Sequence, residues 1–330
     1  MNAVPSIVIL DGDPAAGSSL APESARGELD FSQLESLGTL TVYQNTPPEL
    51  VVTRAKNATI VLTNKVVLDR ATLEQLPQLR MIGVLATGTN VIDVAAATEL
   101  GVVVSNVPGY STASTAQLTI ALLLELCHHA GEHSRDVHSG TWTGARIFAY
   151  WKHPLLELDG LTLGIVGFGA IGQRVAHIAQ SLGMRLLVHT RTARELPENA
   201  RAVDKATLLA ESDVVTLHCP LTPATQHFID DQALAALRPG ALLVNVSRGP
   251  IVDSWAVRRA LDSGRLGGFA ADVLEVEPPP VDHPLLHAPR CVLTPHIAWA
   301  TEASRRRLLA TTHDNVEKFL QGTPQNVVGG

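Results

Sequence analysis

Short apolar runs alternate with amphipathic segments along this chain in two successive series. In the first, apolar runs at residues 6–10, 38–42, 59–62, 80–84 and 102–104 are separated by stretches with helical spacing, which predicts a parallel sheet flanked by helices. A long helix is predicted from about residue 114 to about residue 140, entered through Ser111, Thr112 and Ser114 as capping residues. The second series predicts six strands, at residues 161–166, 185–189, 214–218, 242–246, 268–271 and 292–294. A final amphipathic helix over residues 301–320 is expected to return to the first sheet, and residues 322–330 read as loop. The fold class expected is α/β, with two Rossmann-like or flavodoxin-like lobes built on parallel sheets.

The first strand of the second series runs into G-x-G-x-x-G, carried by Gly167, Gly169 and Gly172, and then into a helix with apolar Ile171, Val175, Ile178, Ala179 and Leu182 on one face. Each glycine has a separate task in such a unit. Gly167 permits the tight turn, Gly169 lets a pyrophosphate approach the backbone, and Gly172 brings helix and strand together. The amides of Ala170 and Ile171 then face the phosphates at the positive end of the helix dipole. This is a dinucleotide-binding fingerprint, so residues 109–298 are expected to form a nucleotide-binding domain inserted into a substrate domain of residues 1–108 and 299–330. The next strand ends in Thr190 and Arg191, where an NAD enzyme would place a carboxylate for the ribose hydroxyls. A neutral Thr190 removes repulsion toward a 2′-phosphate, and Arg191 offers it a planar fork. NADP(H) is therefore the preferred cofactor. NAD(H) stays open, because Arg191 also reads as a solvated loop arginine.

Composition narrows the function class. At 330 residues the chain exceeds one ordinary core and suits two domains, and with 45% hydrophobic against 17% charged residues it is a well-buried globular chain. A net charge of −7 without a basic stripe excludes a nucleic-acid partner. The three cysteines, Cys127, Cys219 and Cys291, are too scattered for a disulfide or zinc framework, so no metal is expected. The amino terminus lacks a basic leader and no apolar run approaches a membrane span, so the expectation is a cytoplasmic protein with no membrane contact.

Three fragments stand at predicted strand ends of the second series: NVSRGPIVD at 245–253, DVLEVEPPP at 272–280 and LTPHIAWAT at 293–301. They bring an arginine, a carboxylate and a histidine to the edge where open α/β sheets bind ligands. Arg248 can anchor a substrate carboxylate in bidentate fashion and polarise an adjacent carbonyl. His296 can transfer a proton near neutral pH, and Glu277 can fix its tautomer and favour its charged form. Beside a hydride donor, this set suits reduction of a 2-oxo acid to a 2-hydroxy acid.

With ATGTNVID at 86–93, VPGYSTASTAQ at 107–117 and HCPLTPATQHFI at 218–229, these motifs resemble the D-isomer-specific 2-hydroxyacid dehydrogenases over nearly the whole chain. The resemblance implies catalytic roles for Arg248, Glu277 and His296. It implies that backbone amides of Ala86, Thr87 and Gly88 hold the substrate carboxylate. It places Thr115 near the nicotinamide-side phosphate, Cys219, Pro220 and Val246 along the cofactor clefts, and Asp272 as an acceptor for the carboxamide. Within the family the chain looks most like glycerate dehydrogenases, or hydroxypyruvate reductases, which also reduce glyoxylate. A broad 2-ketoacid reductase, a phosphite-type dehydrogenase and a nucleotide-sensing corepressor-like protein are the competing readings. Residues 140–151 are apolar and aromatic where a monomer would carry a polar loop, which predicts a homodimer. In relatives this region crosses a two-fold axis, so Trp151 is expected to border the substrate of the neighbouring subunit, with packing inside one chain as the alternative.

Overall fold

The computed structural model describes residues 4–12, 31–192 and 194–329. The first three residues of the amino-terminal stretch read above for a leader lie outside the described residues. The chain divides into two compact units, residues 1–111 with 299–330, and residues 112–298.

The first unit holds a parallel sheet of β1 (Ser6–Ile9), β2 (Thr39–Val42), β3 (Ile60–Thr63), β4 (Met81–Val84) and β5 (Val103–Ser105), in the order β2-β1-β3-β4-β5. β3 and β4 are buried at every position, as the continuous apolar runs of a sheet covered on both faces require. One face is filled by Val8, Val61, Ile82 and Val84 against Ala96, Ala97 and Leu73 of short helices. The other, formed by Ile7, Ile9, Ile60, Leu62 and Met81, is closed by Leu308 and Val316 of the terminal helix Glu302–Leu320. Thr301 caps that helix by accepting from the Ser304 amide. The terminal residues are not loop throughout. Val328 N donates to Val104 O and Asn106 N to Asn326 O, an antiparallel bridge that covers the edge of β5.

The second unit carries seven parallel strands: β6 (Thr162–Val166), β7 (Arg185–His189), β8 (Ala200–Ala202), β9 (Val214–Leu217), β10 (Ala241–Asn245), β11 (Leu266–Ala271) and β12 (Cys291–Leu293). Their order is β12-β11-β10-β9-β6-β7-β8, so the chain reverses direction across the sheet between β6 and β9. Ligands bind outside the carboxyl ends of strands at such a switch point. Two expectations need correction. β8 is a seventh strand, and its mostly exposed edge position explains why no apolar run announces it. The long helix is two helices, Thr112–His128 and Ala130–His138, broken at His129 with φ +50°. No helix among the described residues is long and apolar enough to cross a membrane.

Candidate active site

β6 leads into Gly167, whose φ of +91° only glycine adopts without strain. A Cβ at Gly167 would also stand 2.7 Å from the backbone of His218 and Cys219, so this turn is pressed against the end of β9. At Gly172 a Cβ would meet Gly167 O at 2.3 Å, which is the close packing of helix on strand. At Gly169 a Cβ would meet nothing within 4 Å. The space in front of the helix Ala170–Ser181 is thus open at the residue that caps it, and the amides of Ala170 and Ile171 belong to the turn without intrahelical acceptors. This cradle fits a dinucleotide pyrophosphate.

At the end of β7, Thr190 is half-buried and its Oγ1 donates to Thr192 O at 3.4 Å. Arg191 is exposed. A groove of about 600 Å³ beside the same helix is lined by Gln173, Arg194 and Glu195, so a second guanidinium that sequence reasoning passed over stands near Arg191 in the chain. Cys219 and Val246 are buried and Pro220 is exposed, and burial pushes the Cys219 thiol up. Thr115 is buried in the helix Thr112–His128, its carbonyl accepting from Thr119 Oγ1 at 2.8 Å. His218, directly after β9, has both ring nitrogens buried without a partner among the described residues. Burial lowers its pKa to about 3.

The three proposed catalytic residues occupy the ends of three adjacent strands. After β10, the Asn245 side chain accepts from Ser247 N at 3.0 Å and donates to Arg248 O at 2.9 Å, fixing the turn that presents Arg248. The Arg248 guanidinium gives one bond to Ser247 O at 2.7 Å and pairs with no carboxylate among the described residues. An unpaired, half-buried guanidinium is ready to receive an external carboxylate. Gly249 lies against the loop after β11. A Cβ there would stand 1.9 Å from Leu274 C and 2.3 Å from Glu275 N, so only glycine lets the Arg248 turn sit beside the Glu277 loop.

Glu277 Oε1 accepts from Leu274 N at 3.0 Å, and Oε2 lies 2.6 Å from His296 Nδ1. A carboxylate only accepts, so Nδ1 carries the proton and Nε2 is the atom left for a substrate. His296 itself adopts φ +54°, a left-handed conformation that needs support. Asp272, missed in this role by the sequence, supplies it. Its Oδ1 accepts from Thr294 Oγ1 at 2.5 Å and Ile297 N at 2.8 Å, and its Oδ2 from Ala298 N at 2.8 Å. Three donors from both sides of His296 therefore converge on one buried carboxylate. Its pKa is raised by burial, the larger effect, which these hydrogen bonds oppose. Glu275 is a second support, accepting from Ser254 N at 3.1 Å and pairing with His283 Nε2 at 3.1 Å.

Two further groups of expected site residues come from other stretches of the chain. Ala86, Thr87 and Gly88 belong to the first unit, directly beyond Leu85 after β4. Ala86 O accepts from Val107 N, Thr87 Oγ1 donates to Val107 O at 2.9 Å, and Asn106 Nδ2 donates to Thr87 O at 2.7 Å. Trp151 lies in the second unit and is 67% exposed, close in sequence to Phe148 at 91%. Trp142 Nε1 donates to Phe148 O at 3.0 Å, closing a loop over an apolar groove of about 450 Å³ that Val137, Tyr150 and Trp151 also line.

Comparison with known proteins identifies the family. Residues 120–298 match the family model for the NAD binding domain of D-isomer specific 2-hydroxyacid dehydrogenases. A hydroxypyruvate reductase of Blautia hydrogenotrophica is 44% identical over 329 residues, covering 98% of this chain and 99% of the relative. A glycerate dehydrogenase of Methylorubrum extorquens is 39% identical over 289 residues, 87% of this chain and 90% of the relative. The crystal structure of an NADPH-dependent glyoxylate/hydroxypyruvate reductase from Sinorhizobium meliloti, in complex with NADP and malonate, superposes with a TM-score of 0.85 at 26% identity, covering 99% of this chain and 97% of that one. The chain belongs to the D-isomer specific 2-hydroxyacid dehydrogenases, nicotinamide-dependent oxidoreductases that interconvert 2-oxo and 2-hydroxy acids.

Proposed function

We propose that this enzyme reduces hydroxypyruvate and glyoxylate to D-glycerate and glycolate, with NADPH preferred over NADH. The observation that carries the reading is the His296–Glu277 contact of 2.6 Å beside an arginine without a carboxylate partner among the described residues. Arg248 binds the substrate carboxylate and polarises its carbonyl. His296 donates the Nε2 proton to the substrate oxygen, while Glu277 holds Nδ1 and stabilises the charge on the ring. A nicotinamide cofactor held at the Gly167–Gly172 turn would supply the hydride. Ala86, Thr87 and Gly88 are assigned to the substrate carboxylate on the family resemblance. NADPH preference rests on the absence of a carboxylate at Thr190 and Arg191, and an NADPH-dependent relative supports it. The exposed apolar segment 140–151 supports a homodimer in which Trp151 limits substrate size. Initial rates with hydroxypyruvate, glyoxylate and pyruvate, each with both cofactors, test the reading. It predicts the highest kcat/KM for hydroxypyruvate or glyoxylate with NADPH. Faster turnover of pyruvate, or equal efficiency with NADH, overturns the corresponding half, and a monomer in light scattering overturns the dimer.

A further inference from the structure

The break between helices Thr112–His128 and Ala130–His138 gathers side chains that the reaction does not use. His129 sits at the break with φ +50°, immediately before the second helix, and Glu132 lies one turn on. His153 lies 21 residues beyond Glu132 in the chain. Its ring packs against that of His129, with centroids 4.6 Å apart, and its Nε2 lies 3.0 Å from Glu132 Oε2. The donor atoms of all three residues fall within 4.8 Å of one another.

We propose that His129, Glu132 and His153 form a binding site for a divalent transition-metal ion of the zinc type. Two imidazoles and one carboxylate are a nitrogen and oxygen set that suits zinc and discriminates against calcium and magnesium, which demand oxygen ligands. Three protein ligands leave the fourth tetrahedral position to water. The scaffold is held independently of any ion. His133 Nδ1 lies 2.9 Å from His129 O, and Lys152 N donates to His133 Nε2 at 3.4 Å, so one imidazole spans the break and the incoming strand of chain. These two bonds fix the backbone at His129 and at Lys152, on the two stretches of chain that carry the site. Three carboxylates, Glu125, Glu132 and Asp136, stand around the break with two cations, Lys152 and Arg135. Glu125 accepts from Gly131 N, and Asp136 pairs with Lys152 at 2.6 Å. Lys152 Nζ lies 3.7 Å from Glu132 Oε1, so this ammonium faces two carboxylates, Glu132 and Asp136, and leaves Glu132 Oε2 to His153. The sequence concealed the site because its ligands are split by the whole aromatic loop, and the cysteine count carries no information about it.

A bound ion would clip residue 153 to the start of the second helix and close the loop that carries Trp142, Phe148 and Trp151. The test uses full-length enzyme stripped with a chelator and titrated with Zn²⁺ against a chromophoric competitor. One equivalent per chain is expected. His129→Ala, Glu132→Gln and His153→Ala should each weaken binding at least about tenfold. His313→Ala, which removes a local His, Asp and Glu cluster on the terminal helix, should leave it unchanged. Co²⁺ should give the intense visible absorption of a tetrahedral site, and excess Mg²⁺ or Ca²⁺ should not compete. Hydrogen exchange of the unsubstituted enzyme gives a second readout, with residues 139–155 slowed by Zn²⁺. Absence of a bound equivalent, or binding lost in His313→Ala and retained in the other variants, overturns the proposal.

Discussion

Gly249→Ala isolates the arrangement of the loops that carry Arg248 and Glu277 from the identity of the proposed catalytic groups. The new methyl would lie 1.9 Å from Leu274 C, 2.1 Å from Leu274 O and 2.3 Å from Glu275 N. All three are backbone atoms, so no rotamer change relieves the contact. Restoring ordinary van der Waals separation forces the turn carrying Arg248 and the loop carrying Glu277 apart by more than about 1 Å, and a misplacement of that size costs about 10²-fold in rate. The corresponding barrier increase is about 2.7 kcal/mol. Overpacking should destabilise the fold by about 1–3 kcal/mol, a loss of several degrees in Tm that leaves the enzyme folded at 25 °C. Steady-state kinetics should therefore show kcat/KM for hydroxypyruvate reduced about a hundredfold. The Kd for NADPH, measured by fluorescence without substrate, should change little, because the Gly167–Gly172 turn lies on another strand end. A folded Gly249→Ala enzyme with wild-type kcat/KM would show that the close approach of these loops does not position the chemistry. A parallel loss of cofactor affinity would place the damage in the sheet rather than the site.

Three further outcomes follow from other parts of the site. Gly169→Ala adds a methyl that meets nothing within 4 Å, so Tm should hold while the Kd for NADPH rises at least about tenfold, and an unchanged Kd would move the pyrophosphate elsewhere. Glu277→Gln has one acceptor oxygen for the two bonds that the carboxylate takes, from Leu274 N and His296 Nδ1, so kcat should fall while the Kd for NADPH changes little, and an unchanged kcat would make Glu277 structural. His218 is held near pKa 3 by burial against 6.5 in the unfolded chain, so the unfolded state takes up a proton that the native state refuses as pH falls below 6.5. This contribution is intact above pH 6.5 and lost on acidification, about 2 kcal/mol between pH 7 and pH 5. Urea melts at both pH values should show that loss reduced in His218→Gln, and an equal loss in the variant would assign it to other groups.

Legibility in the sequence followed the range of the interactions concerned. β7 and the fingerprint turn were readable because strand periodicity and the tasks of Gly167, Gly169 and Gly172 are local. Arg248, Glu277 and His296 were readable as residues at strand ends, but not as a set held together. Nothing local announces that Gly249 is pressed onto Leu274, or that Thr294, Ile297 and Ala298 all donate to Asp272. The break at His129 is hidden for the same reason. Its flanking sequence keeps a helical pattern, and the left-handed turn is supported by Glu125 reaching Gly131 N and by His133 reaching His129 O. β8 lacked a signal because an exposed edge strand of three residues has little apolar surface to bury.

The first unit is assembled from two pieces of chain that the ribosome delivers far apart in time. Its sheet strands are all made within residues 1–111, but Leu308 and Val316, which close the face of Ile7, Ile9 and Met81, and the residues that cover the edge of β5, follow only after the whole of residues 112–298. The second unit is contiguous, so it can complete its core while the first still waits with an apolar face and a strand edge unprotected. During synthesis the nascent first unit is thus the aggregation-prone partner, and the nucleotide-binding unit is the earlier one to mature. Expression yield should consequently depend on chaperone supply to the amino-terminal segment more than on the stability of the finished enzyme.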